Sequence, residues 1–218
     1  MELKVAVILS GCGVYDGSEI HEAVVTLLTL SEEGAAVQCT APDITLSEVD
    51  HAAGKPTGAQ RSVLAEAARI ARGAIVPLRD IQPADYDALF LPGGFGAAKN
   101  LTSFATDGPD CSIDPDVLRV VQGFHAAGKP IGAVCIAPAV LARALGDHAP
   151  QLTIGSDPGT AAALEAMGAT HHDRPVTDCL VDPANKLITA PAYMCDAPLA
   201  DIAKGIAAAV RATLALAN

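Results

Sequence analysis

Lys129-Pro-Ile-Gly-Ala-Val-Cys135-Ile-Ala-Pro138 is the stretch that decides the fold. Its short apolar run, Ile131 to Val134, ends on a cysteine and passes through Pro138 into an alanine- and leucine-rich segment. That is the pattern of a buried strand turning sharply into a helix. A turn of this kind is a nucleophile elbow, which holds its side chain in strained backbone geometry at the C-terminal end of a strand. Here the side chain is a thiol. Backbone N–H groups and the positive end of the helix dipole favour a thiolate at such a turn, so Cys135 is expected to have a lowered pKa and to be reactive at neutral pH. The competing reading is a buried core cysteine, because free cysteine is among the most buried residue types.

The rest of the chain supplies the sheet that an elbow needs. Lys4-Val-Ala-Val-Ile-Leu9 is continuous and β-branched, as a central parallel strand buried on both faces should be. It opens into the glycine-rich loop Ser10 to Gly17, and Ser18 is the expected N-cap of a helix that runs through Glu19 and Glu22 to Gly34. The loop lacks the Lys-Ser/Thr ending of a phosphate loop, and its glycine spacing does not fit the dinucleotide fingerprint. Ala35 to Thr40 reads as a second strand, Ile44 to Arg61 as a polar surface loop or small excursion, Val63 to Ala71 as a helix and Ala74 to Leu78 as a short edge segment. Asp85-Tyr-Asp-Ala-Leu-Phe-Leu-Pro-Gly-Gly94 gives another short strand ending in a tight turn, and Pro115 to Ala127 an amphipathic helix. After the elbow come a helix from Pro138 to Leu145, a strand from Leu152 to Ile154, a helix from Gly159 to Met167, a strand pair at Cys179 to Val181 and Leu187 to Thr189, and a final helix from Ala200 to Leu216. Alternating strands and helices predict an α/β fold, a doubly wound and mostly parallel sheet sandwiched by helices, in one domain spanning residues 1–218.

Composition narrows the function. With 218 residues, 50% hydrophobic and 18% charged, the chain can bury a sizeable core. A formal net charge of -11 makes nucleic acid and anionic membrane surfaces poor partners. No apolar run approaches the roughly 18 residues needed to span a bilayer, and Met1-Glu-Leu-Lys4 leads straight into strand-like sequence, so a cytoplasmic location is expected. Six cysteines are scattered without a CxxC pair, which suits reduced, individually placed thiols. Metal binding is not expected: His171 and His172 are adjacent, would point to opposite faces of a strand, and read as solvated surface histidines.

A reactive elbow cysteine needs a group that tunes its protonation, donors for an oxyanion, and a shaped pocket. Neighbouring strand ends converge on one crevice in a doubly wound sheet, which makes Glu19 and Glu22 the candidates for the first role. They lie three apart on one helix face, so one can enter the site while the other caps the helix or faces solvent. A carboxylate beside a thiolate raises the thiol pKa, so a useful glutamate there must be protonated. The backbone N–H groups of Gly94 and Ile136 are the expected oxyanion donors. Cys12, Asp16, Asn100 and Tyr193, each in a loop at a strand end, are pocket candidates.

Four segments together, Ile8 to Glu22, Leu91 to Leu101, Cys135-Ile-Ala-Pro138 and Pro191-Ala-Tyr-Met194, resemble the ElbB (ES1-type) branch of the PfpI/ThiJ superfamily, which has the class I glutamine amidotransferase-like fold. The resemblance covers essentially the whole chain. It implies a flavodoxin-like domain, commonly a homodimer, with an oxidation-prone elbow cysteine hydrogen-bonded to a glutamate that falls on Glu22. It also implies an association with isoprenoid biosynthesis and a weak, glutathione-independent glyoxalase activity of the lyase class. Departures matter: peptidase-like members carry a histidine directly after the cysteine, where this chain has Ile136, and glyoxalase-competent relatives tend to carry one where this chain offers Ser156 and Asp157. The leading expectation is therefore a slow enzyme, needing no cofactor, in which Cys135 and Glu22 convert glyoxal or methylglyoxal to a hydroxy acid. The alternative is a redox-responsive or isoprenoid-biosynthesis-associated protein whose Cys135 is oxidised, with Cys12 as a conceivable resolving thiol.

Overall fold

The computed structural model describes residues 2–217. The chain runs from β1 (Lys4–Ile8) to α1 (Ile20–Glu32) and β2 (Ala36–Ala41), then through β3 (Thr45–Asp50), β4 (Lys55–Ser62), α2 (Val63–Ile70) and β5 (Ile75–Pro77). β6 (Ala88–Leu91), α3 (Phe104–Asp107) and α4 (Pro115–Ala126) lead to β7 (Ile131–Val134) and α5 (Pro138–Leu145). β8 (Gln151–Leu152), α6 (Pro158–Ala166), β9 (Thr170–His171), β10 (Leu180–Asp182), β11 (Leu187–Ala190) and α7 (Leu199–Ala217) follow.

The main sheet is 7-stranded, in the order β10-β11-β7-β6-β1-β2-β5. All its neighbours pair in parallel except β10, which is antiparallel to β11. The chain moves outward from β1 to β2 and β5, then returns to the other side of β1 to lay down β6. The strand order thus reverses between β1 and β6, and a crevice opens there beyond the C-terminal strand ends, where open α/β sheets take ligands. This is the flavodoxin-like, doubly wound architecture.

Period-two alternation divides the strands between two cores. Ala6, Ile8, Leu89, Leu91, Ile131 and Ala133 face one way and meet Val120, Phe124 and Leu141 of α4 and α5. Val5, Val7, Leu9, Phe90 and Val134 face the other way and meet Ala23, Leu30, Ile206 and Val210 of α1 and α7. Gly132 in β7 lets the second layer close. A Cβ on it would lie 2.4 Å from the Phe90 ring and 2.6 Å from Thr213 Oγ1 on α7. Gly132→Ala should therefore cost about 1–3 kcal/mol by overpacking, read as a lowered denaturation midpoint; an unchanged midpoint would contradict this account of the layer.

Local chemistry sets the helix that feeds the crevice. Glu19, not Ser18, caps α1: its Oε2 accepts the Glu22 N–H at 2.7 Å. Ser18 is diverted to the loop that follows β1, where its hydroxyl accepts the Ser10 N–H at 2.8 Å. At the other end Gly34, at φ +73°, closes α1 with the paired bonds Gly34 N–H to Ser31 C=O and Ala35 N–H to Leu30 C=O.

Three further expectations change. The polar stretch 44–61 forms most of an antiparallel hairpin, β3–β4, rather than a loop. β4 is exposed along almost its whole length, so it carries no apolar period to read. Leu152 belongs to a separate two-stranded ribbon, β8–β9, and Ile154 lies beyond the strand. The ribbon also overturns the solvated reading of the histidines. The His171 side chain is 8% exposed and its Nε2 accepts the Ile154 N–H at 3.4 Å, while His172 Nε2 is buried with no hydrogen-bond partner among the described residues. Among those residues no helix is long and apolar enough to cross a membrane.

Candidate active site

Cys135 follows β7 directly and has φ +61°, in the left-handed region that costs a non-glycine residue on the order of 1–3 kcal/mol. Its N–H donates to Ala190 C=O of β11 at 3.0 Å, so the neighbouring strand holds the strained residue in place. Pro138, with no N–H to satisfy and a pre-set φ, starts α5 three residues on. The elbow is thus built as its sequence suggests, and the sulfur stands at the crevice.

Three elements converge on that sulfur. Glu22 comes from α1 and is completely buried. Gly93 N–H donates to its Oε2 at 2.9 Å and Tyr193 N–H to its Oε1 at 3.2 Å, and the carboxyl hydrogen-bonds the Cys135 thiol. The backbone N–H groups of Gly94 and Ile136 both point at the sulfur. No side chain fits at the glycine turn. A Cβ on Gly93 would lie 2.4 Å from Cys135 Cβ and 2.6 Å from Glu22 Oε2. Gly94 has φ +99°, and a Cβ there would lie 2.3 Å from Glu19 N.

The electrostatics reverse one expectation. Burial, then the adjacent Glu22 carboxylate, raise the Cys135 thiol well above its ordinary range, although the N–H groups of Gly94 and Ile136 pull the other way. The short helix α5 does not overcome a buried, acid-flanked position. Burial and the nearby Glu19 push Glu22 up to about 7, against the pull of the bonds from Cys135, Tyr193 and Gly93. The thiol is thus the weaker acid of the pair, so its proton rests on sulfur, and a thiolate requires transfer of that proton to Glu22.

A cavity of about 420 Å³ opens beside the pair. Cys135, Glu19, Gly94, Ile136 and Tyr193 line it, together with Thr160 and a set of apolar side chains. At this cavity the Tyr193 hydroxyl pairs with His21 Nδ1 at 2.8 Å, and Glu19 Oε1 lies 3.9 Å from the same nitrogen.

The other candidates sit elsewhere. Cys12 and Asp16 line a second cavity of about 380 Å³, with His51, Glu48, Arg61 and Glu66. The β3–β4 hairpin covers them: Val49 N–H donates to Asp16 Oδ2 at 2.8 Å. Burial raises the Cys12 thiol. Cys12 and Cys135 thus line different cavities, which removes the basis for Cys12 as a resolving thiol. Asn100 is a structural clamp, its Nδ2 donating to Ser10 C=O and Asp16 C=O at 2.8 Å each. Ser156 is exposed and lines neither cavity. Asp157 is also exposed and caps α6, accepting the N–H and hydroxyl of Thr160 at 2.7 Å each, and through them it fixes a cavity-lining residue. The sequence reading missed His21, Thr160 and the apolar wall. Thr160 and Phe104 lie outside the segments that carry the resemblance, and His21, Val14, Phe95, Ala98, Ile136 and Met194 lie within them, but nothing in the sequence shows that their side chains meet at one cavity.

Residues 4–198 match the family model of the DJ-1/PfpI family. The chain is 48% identical over 224 residues to the human glutamine amidotransferase-like class 1 domain-containing protein 3, mitochondrial, covering 98% of this chain and 83% of that protein. It is 47% identical to the rat ES1 protein homolog, mitochondrial, with coverage of 98% and 84%. Among solved structures, an isoprenoid biosynthesis protein with amidotransferase-like domain from Ehrlichia chaffeensis superposes with a TM-score of 0.93 at 38% identity, covering 99% of this chain and 100% of that one.

Proposed function

The chain belongs to the DJ-1/PfpI family, and from that premise we propose that it is a cysteine-dependent enzyme of small carbonyl compounds, a glutathione-independent glyoxalase that converts 2-oxoaldehydes to 2-hydroxy acids. The observation that carries this reading is the hydrogen-bonded pair of Cys135 and Glu22, buried beneath a substrate-sized cavity with two backbone N–H groups aimed at the sulfur.

With the proton on Glu22, the Cys135 thiolate adds to the aldehyde carbon. The carbonyl π pair moves to oxygen, and Glu22 protonates that oxygen to give a neutral hemithioacetal. The Glu22 carboxylate then removes the hydrogen from the former aldehyde carbon, leaving an enediolate, and returns that proton to the neighbouring carbon while the hydroxyl proton of the former aldehyde carbon passes to the neighbouring oxygen. The product of this internal redox step is a thioester bearing a 2-hydroxyl group. Water cleaves it, releasing the 2-hydroxy acid and the thiol. The aldehyde carbon is oxidised and its neighbour reduced, so no external oxidant or reductant enters. In this scheme the N–H groups of Gly94 and Ile136, which point at the sulfur, would receive the oxyanions of addition and hydrolysis.

Glyoxal and methylglyoxal offered to the freshly reduced protein without added thiol should yield glycolate and lactate; the absence of both above the uncatalysed rate would refute the reading. A second reading draws on the same three donors around the sulfur. Gly94, Ile136 and protonated Glu22 would equally stabilise the oxygens of a Cys135 sulfinate formed by peroxide. Peroxide then oxidises Cys135 selectively while no carbonyl turns over.

A further inference from the structure

We propose that the substrates this site prefers are uncharged 2-oxoaldehydes carrying an apolar chain, glyoxal and methylglyoxal being turned over only slowly. The inference rests on the glyoxalase reading for the reaction, and on the cavity alone for the substrate's shape and charge.

Size is the first argument. A cavity of about 420 Å³ falls within the roughly 300–1,000 Å³ typical of sites for drug-sized ligands. At roughly 30 Å³ per water-sized group it accepts on the order of a dozen non-hydrogen atoms, far more than methylglyoxal brings. A three-carbon dicarbonyl would leave most of the space to water, and so would gain little binding energy for orienting the aldehyde over the sulfur.

The wall gives the second argument. Val14, Phe95, Ala98, Phe104, Ile136 and Met194 surround the space beyond Cys135, and they arrive from the β1 loop, the β6 loop, α3, the elbow and the segment after β11. Phe95 is 47% exposed, an apolar ring left open on this side of the molecule. Such a surface suits an alkyl or aryl group. The polar groups are few: Glu19, Thr160 and Tyr193 join the reacting pair.

Charge is the third. The lining contains a carboxylate, Glu19, and no lysine or arginine. Lys99, which touches the wall through the Phe95 ring at 5.4 Å, is engaged by Tyr15 C=O at 2.8 Å. A phosphate or carboxylate on the substrate would meet no cation here and would be repelled by Glu19, within a chain of net charge -11. The site therefore disfavours anionic carbonyls and holds the smallest ones only weakly.

A homologous series separates these terms while keeping the reacting carbonyls alike. From methylglyoxal through 2-oxobutanal and 2-oxohexanal to 2-oxooctanal, kcat/KM should rise about fourfold per methylene until the cavity is full. The 2-oxooctanal analogue with a terminal carboxylate should fall at least tenfold below its neutral counterpart. Phe95→Ala should flatten the rise. A flat series, or a carboxylated chain that reacts as well as the neutral one, would overturn the inference. A binding readout keeps it separable from the reaction: in Cys135→Ala, 2-octanone should give saturation-transfer NMR signals that acetone and the carboxylated ketone do not. If nothing turns over yet 2-octanone binds, the glyoxalase reading fails and the shape and charge of the site stand. If methylglyoxal turns over but 2-octanone does not bind, the reverse holds.

Discussion

Cys135→Ala is expected to lower kcat/KM for 2-oxoaldehydes by at least about 10³-fold, equivalent to roughly 4 kcal/mol of transition-state stabilisation. Every step of the proposed reaction passes through a bond to this sulfur, so neither the N–H groups of Gly94 and Ile136 nor the cavity can substitute for it. The substitution leaves the fold largely intact. Alanine removes one buried atom, and the N–H bond to Ala190 C=O that fixes the elbow is a backbone contact. A circular dichroism spectrum and melting curve close to wild type should accompany the loss. Hydroxy-acid formation at the wild-type rate in a folded Cys135→Ala protein would remove Cys135 from the reaction.

Glu22→Gln should reduce kcat by about 10²–10⁴-fold, the range for a positioned general acid–base. An amide carries no transferable proton, so the thiolate is no longer generated by the pair and the hydrogen on the hemithioacetal carbon has no acceptor. It is not a silent replacement. Glu22 accepts one N–H on each oxygen, from Gly93 and from Tyr193, and the amide nitrogen of glutamine would face one of them as a second donor. Activity and stability should therefore be followed together across pH. The native carboxyl titrates near 7 against an ordinary 4.5, so the folded protein keeps a proton that the unfolded chain releases. Wild-type stability should accordingly be fully expressed below about pH 4.5 and decline as pH rises through about 7, by an amount on the order of 3 kcal/mol. In Glu22→Gln that decline should disappear. Wild-type kcat/KM should climb as pH passes about 7, because a doubly protonated pair has neither thiolate nor base. A pH-independent wild-type rate, or a Glu22→Gln enzyme of wild-type activity, would contradict the role given to Glu22.

The fold was legible because the strands that build the sheet are short runs of aliphatic residues bounded by glycine and proline, and buried on both faces. β1, β6 and β7 announce themselves in this way, and the positive φ at Cys135 follows from a strand that turns into a helix within three residues. The β3–β4 hairpin was not legible, since a solvent-exposed ribbon such as Lys55–Ser62 has no buried face to impose a period. That omission carried over into the site, because the hairpin is what closes Cys12 and Asp16 into a separate cavity. Helical spacing put Glu19 and Glu22 on one face without saying which enters the site; the resemblance assigned Glu22, and the structure buries Glu22 and makes Glu19 the cap. The sign of the thiol shift was misread for a related reason: local sequence displays the helix behind the elbow, whereas the burial and the carboxylate that outweigh it arrive from α1, more than a hundred residues earlier. Tyr193 and the apolar wall meet at the sulfur from segments scattered over most of the chain.

The central claim is that Cys135 bonds covalently to a carbonyl substrate and that Glu22 moves the proton that carries the bond forward. Its most direct test is intact-protein and peptide mass spectrometry of reduced Glu22→Gln incubated with methylglyoxal or 2-oxooctanal, alongside Cys135→Ala and the wild type. Addition can still draw its proton transfers from water, whereas removal of hydrogen from carbon has no other base, so the hemithioacetal should accumulate slowly in Glu22→Gln as a single adduct of substrate mass in native spectra, weaker in the wild type and absent from Cys135→Ala. Adducts spread over arginines and the other cysteines with none enriched at Cys135 would contradict it.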